Sequence, residues 1–127
     1  VTPAVAATRA ALVAALAPIP DWSAWPSVPD ATALPAVWVE QPAAVRSETA
    51  RTMTTGIWSV VAAVDPTSTD DVTTQLDAMV DVVAEAVGGS HQPVFRLNGW
   101  VREQRPVGAT TAECVVVQFE TDHLNTC

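Results

Sequence analysis

The sequence predicts an α+β protein, a two-layer sandwich with two helices packed on one face of a mostly antiparallel sheet of four to five strands. Three observations carry that expectation. Two segments have helical start or stop signals, at Thr2-Pro3 and at Gly88-Gly89. Four apolar segments, 36–40, 56–64, 94–103 and 112–121, have strand composition and length. The order is helix, possible edge strand, strand, strand, helix, strand, strand. Strands in runs, without regular βα alternation, indicate antiparallel pairing with the helices segregated to one side. The 127 residues suffice for one domain, spanning 1–127, and no internal repeat divides it.

The first helix is expected from Pro3 to Ala17, with Thr2 as its cap and Pro18 as its stop. Its best apolar face gathers Val5, Leu12 and Leu16, with Val13 nearby. Arg9 falls on that face, where it either snorkels along its neighbours or reaches a partner subunit. Pro18, Pro20, Pro26, Pro29 and Pro35 then make an extended, irregular stretch with a short edge strand expected at Trp22–Trp25. Ala36–Glu40 reads as a strand closed off by Pro42. Gln41–Thr55 has no apolar period and reads as a long polar loop, functional or mobile. In Gly56–Val64 both faces are apolar: Trp58, Val60, Ala62 and Val64 on one, Ile57, Val61 and Ala63 on the other. Such a strand is central to its sheet, or turns its second face to another molecule.

Ser68 or Thr69 is expected to cap the second helix, with Asp70 and Asp71 in its first turn, where the helix dipole favours them. At 100° per residue, Val72, Leu76, Met79, Val80, Val83 and Val87 form one stripe, and Asp77, Asp81 and Glu85 lie opposite. Val94–Glu103 and Ala112–Thr121 follow as two strands joined by a turn at Pro106–Gly108. Alternation places Phe95, Leu97 and Val101 on one face, and Arg96, Trp100 and Arg102 on the other. Residues 122–127 read as a frayed tail.

Composition excludes several function classes. Six Lys plus Arg, with no lysine among them, face 14 Asp plus Glu, for a net charge of −8. That balance opposes affinity for nucleic acid phosphates and for anionic membranes. No stretch has the apolar length of a membrane span, and Ala10–Ala17 lacks the basic region of a signal peptide. Cys114 and Cys127 are expected to be reduced thiols. His91 and His123 have no ligands at metal spacing, and Ser47, Ser59, Ser68 and Ser90 have no histidine and acid to activate them. The row Asp77, Asp81, Glu85 reads as a solvated face. No enzyme activity, cofactor or metal is expected. Ala and Val supply 43 of the residues. A core of such small side chains either gains burial from partners or simply reflects a GC-rich coding sequence. Trp100 with Arg96 and Arg102 forms the most interface-like group, because Trp and Arg are enriched at binding hot spots.

An Ala-rich first helix leads to a Trp/Pro-rich stretch and a PAVWVE strand. A long polar connection, the Trp58-containing strand, a capped TDDVTTQLDAMVDVVAEAV helix and a closing hairpin complete the order. That order, over roughly Pro3 to Asp122, resembles the tail terminator proteins of long non-contractile-tailed bacteriophages. The resemblance implies a structural virion protein in the tail–neck region, assembled in the host cytoplasm. Its partners would be copies of itself in a homohexameric ring, the tail tube protein and the head–tail connector proteins. The ring would cap the head-proximal end of the tube, stop its polymerisation and provide the joining surface for the head. DNA would pass through its lumen without specific binding, which suits a ring of roughly −48 from six copies at −8. Arg46, Glu48 and Arg51 on the polar connection, with Arg96, Trp100 and Arg102, are the candidate interaction residues. Two alternatives stand beside this one: another neck or head-completion protein, and a small ligand-binding α+β module.

Overall fold

A computed structural model describes residues 4–46, 53–65, 71–88 and 95–124. Helix α1 spans Ala4–Leu16, strand β1 Ser23–Trp25 and strand β2 Ala36–Arg46, with a single 3-10 turn at Ala31–Ala33 before β2. Strand β3 (Met53–Ala63), helix α2 (Val72–Gly88), strand β4 (Arg96–Val107) and strand β5 (Thr110–Leu124) complete the order. The five strands form one open sheet in the order β1-β2-β3-β5-β4. Only β1 and β2 run parallel. The architecture is the expected α+β sandwich, with β3 at its centre.

Both helices lie on one face. Leu12 and Leu16 of α1, and Leu76, Met79, Val80, Val83 and Val87 of α2, meet Val37, Val39, Trp58, Val60, Ala62, Val115, Val117 and Phe119 of the sheet. The α2 stripe is thus buried as its period requires. The α1 face is displaced by a turn. Thr8, Leu12 and Leu16 are buried, whereas Val5, expected on that face, is exposed.

The second face is closed by the chain itself. Leu34, Ala36, Trp38, Val61, Ala63, Val107, Ala112, Cys114 and Val116 form a separate buried cluster there. The sheet curls so far that Arg105 of β4 reaches Glu40 of β2, three places away in the strand order. The apolar second face of β3 is therefore a core surface, and of the two readings of that strand, central to its sheet or turned to another molecule, the first holds.

The elements also run longer than the sequence suggests. Most of the polar connection at Gln41–Thr55 is strand. β2 and β3 continue past a bulge between Glu40 and Ala43 and pair as far as Arg46 with Thr54. Pro42 sits in that bulge, where its missing N–H costs the ladder nothing, and Ala43, Ala44 and Val45 resume pairing. β4 likewise runs through Pro106, tolerable on an edge strand, and turns at Gly108, whose φ of 61° suits a tight hairpin. β5 extends to Leu124 by pairing with Met53, so residues 122–124 belong to the sheet and not to a frayed tail. The cap of α2 is Asp71, outside the helix rather than in its first turn. Its Oδ1 accepts from the backbone N–H of Thr73 (3.0 Å) and its Oδ2 from the Thr74 hydroxyl (2.9 Å). Thr2, Ser68, Thr69 and Asp70, named above as capping or first-turn residues, lie outside the described residues.

Candidate functional site

β4 forms one edge of the sheet and pairs with β5 alone. Regular alternation would put Leu97 and Trp100 on opposite faces. A bulge between Leu97 and Gly99 cancels it. Leu97 stands opposite Phe119 and Trp100 opposite Val117, so both point to the helix-bearing face. The separation of Trp100 from Leu97 expected from the sequence is thereby corrected. Gly99 carries the bulge with a φ of 156°, a conformation L side chains rarely adopt.

This edge is apolar and unusually open. Trp100 is 60% exposed, Leu97 49% and Val101, on the other face, 52%. Arginines flank them. Arg96 lies 4.0 Å from Glu120. Arg102 lies 3.6 Å from Glu113 and donates to the Thr73 hydroxyl (3.1 Å), bracing β4 against the start of α2. The same guanidinium contributes to holding the Asp71 carboxyl below its ordinary range, after the larger effects of the hydrogen bonds from Thr74.

Of the six residues singled out in the sequence, Arg96, Trp100 and Arg102 all lie on this edge, but the bulge corrects their expected common face: Trp100 and Arg102, opposite Val117 and Val115, face the helices, and Arg96, opposite Glu120, faces away. Arg46 ends β2 opposite Thr54, three residue rows beyond the row that holds Arg96 and three strands away. Glu48 and Arg51 lie outside the described residues. The ladder of β2, β3 and β5 thus projects past the start of β4 by about 10 Å, at about 3.3 Å per residue.

Several participants carried no sequence signal. Leu97 joins the patch only because of the bulge. Arg105 donates to both Glu40 carboxylate oxygens (2.6 and 2.7 Å) and to Glu103 (2.8 Å), and the Trp38 indole N–H donates to Glu40 at 3.0 Å. That network is a tie between non-adjacent strands. At the opposite end of the sheet, Ala6, Ala10, Val13 and Ala14 of α1 face Pro26 across a groove of about 400 Å³. Its one polar lining side chain, Arg9, donates to the carbonyls of Pro26 (2.6 Å) and Val39 (3.1 Å) and lies 5.5 Å from the Trp58 ring centroid. Arg9 is therefore engaged within its own chain.

The β4 edge offers an exposed apolar contact surface. Cys114 is buried, donates to the Ala112 carbonyl, and burial pushes its thiol up to about 11, away from nucleophilic use at neutral pH. Among the described residues, no group of three His, Cys, Asp or Glu is placed to hold a metal. His123 lies in β5 opposite Thr54, and His91 is outside the described residues. No described helix is long and apolar enough to cross a membrane. In comparison with known proteins, no family model matches the chain, and no curated protein matches it closely enough to count as a relative.

Proposed function

We propose that this chain is a structural subunit that assembles with copies of itself into a ring, and that the ring terminates the tail tube of a long non-contractile phage tail. The observation that carries the structural part is the β4 edge, where Trp100, Leu97 and Val101 are left to solvent between Arg96 and Arg102. Large apolar side chains gathered on a sheet edge favour a protein partner. The tail-terminator part is supported by the order of elements, from Ala-rich helix to closing hairpin, over nearly the whole chain. In this reading the protein works in the virion, at the head-proximal end of the tube, by shape and without a chemical step. The projecting β2–β3–β5 ladder that bears Arg46 is the candidate contact with the tube.

The test is to mix purified protein with tail tubes and locate it by electron microscopy. Density at one end only, with tube growth stopped there, is the expected result. Decoration along the sides, or none, rejects termination. Binding to the head connector without binding to tubes would favour another neck component instead.

A further inference from the structure

Among the described residues, the buried polar side chains are Thr8, Ser59 and Thr121. Thr8 and Thr121 each make a polar contact within the chain. Ser59, 3% exposed, makes no hydrogen bond with any described residue. An orphaned buried hydroxyl opposes folding, and native structures nearly always supply it with a partner. The sheet shows where that partner must sit. Ser59 alternates along β3 with Val61 and Ala63 of the second cluster, so its hydroxyl points away from the helices. Glu40 of β2 stands directly opposite it on one side and Gln118 of β5 on the other. Both share its face, since Glu40 alternates with Trp38 and Gln118 with Val116. Directly opposed side chains start about 4.5–5.5 Å apart at Cβ, a gap that one small molecule can span. The β2–β3 ladder is also interrupted just beyond this row, at the bulge between Glu40 and Ala43.

The chemistry of the row selects its occupant. Arg105 already neutralises Glu40, at 2.6 and 2.7 Å, and the Trp38 indole N–H donates to it at 3.0 Å. The carboxylate therefore keeps lone pairs to offer but no uncompensated charge to hold a cation. The Ser59 hydroxyl and the Gln118 amide can each donate and accept. We propose that one ordered water molecule binds on the second face and bridges Ser59 Oγ to the Glu40 carboxylate and the Gln118 amide. About three partners is the usual complement of a buried water. The bridge links β2, β3 and β5 and joins Ser59 to the Arg105–Glu40 tie. It belongs to the single chain and stands or falls independently of the ring reading.

High-resolution crystallography and thermal melting of the full chain test this. Density for a water about 2.7–3.2 Å from Ser59 Oγ, and within the same reach of Glu40 and Gln118, is expected. Ser59→Ala should lower Tm by about 2–6 °C, because a satisfied hydroxyl is lost. The sign decides, since removing an orphaned hydroxyl would leave Tm unchanged or raise it. Gln118→Met should also lower Tm, and the double variant should lose less than the sum, because both substitutions remove partners of one water. The proposal fails if Ser59→Ala does not lower Tm, or if the two effects add. It fails equally if the crystal shows Ser59 bonded directly to the protein with no water beside it. Anomalous signal at the site after a rubidium soak would identify a monovalent cation there and overturn it as well.

Discussion

Arg9 shows how a charged residue enters an apolar helix face without becoming an unpaired charge. Its guanidinium donates to two main-chain carbonyls and lies over Trp58, so its positive charge is engaged within the chain. Arg9→Met should therefore destabilise by about 2 kcal/mol in urea titrations, since bonds from a charged donor are lost and two carbonyls are orphaned. The two tryptophans of most interest should separate cleanly in the same assay. Trp58→Ala, in the core, should cost about 3–5 kcal/mol, and Trp100→Ala, on the edge, less than about 0.5 kcal/mol. Cys114 gives a prediction in pH. Its thiol is raised from 9.0 to about 11 by burial, so the native state keeps a proton that the unfolded chain loses. Stability is then complete below pH 9 and falls as pH rises towards 11, by at most about 1.4 kcal/mol per pH unit. The chain has no lysine and no tyrosine, which leaves cysteine as the side chain titrating in that window. In a Cys127→Ser background, denaturation between pH 8.5 and 11 should show the slope, and Cys114→Ala should abolish it.

At the scale of elements, α2 and β4 depend on single residues at their ends and bends. Asp71 satisfies the first N–H groups of α2, and its lowered pKa means that this contribution is present above the ordinary carboxyl pKa and lost as pH falls through the lowered one. Asp71→Ala should lower the melting temperature at pH 7, Asp71→Asn should lower it less, and the gap between wild type and Asn should narrow in acid. In β4 the bulge depends on Gly99. Nothing lies within 4 Å of an added Cβ there, so Gly99→Val should cost about 1–3 kcal/mol from backbone strain alone. If the bulge instead shifts to relieve the strain, Trp100 leaves the helix-side face, and its fluorescence and quenching will report the move.

For the molecule as a whole, the tie from Arg105 to Glu40 fastens the curl of the sheet. It joins strands that are not neighbours and roofs a second buried cluster beside Trp38. Arg105→Met should destabilise by about 1–3 kcal/mol, because it leaves a half-buried carboxylate with one donor. A double-mutant cycle with Glu40→Gln should return a coupling above about 0.5 kcal/mol. With its second face buried by the chain itself, the sheet has its exposed large apolar side chains on its edges. A net charge of −8 also means that the protein should not shift duplex DNA in a gel, even at low salt.

The sequence by itself determined the α+β class, the buried stripe of α2 and the central position of β3. Each follows from a period of 3.6 or 2, which local backbone geometry imposes residue by residue. It did not determine the face on which Trp100 sits, because one inserted residue at the bulge reverses every later position. It did not show that β2 survives Pro42, since only the partner strand makes the bulge a tolerable place for proline. Nor did it show that Arg105 meets Glu40, 65 residues earlier in the chain. That contact is created by the curl of the sheet, a sum of small strand twists that no single segment encodes. The tertiary structure alone turned an apolar second face into core and left exposed apolar side chains on the edges of the sheet.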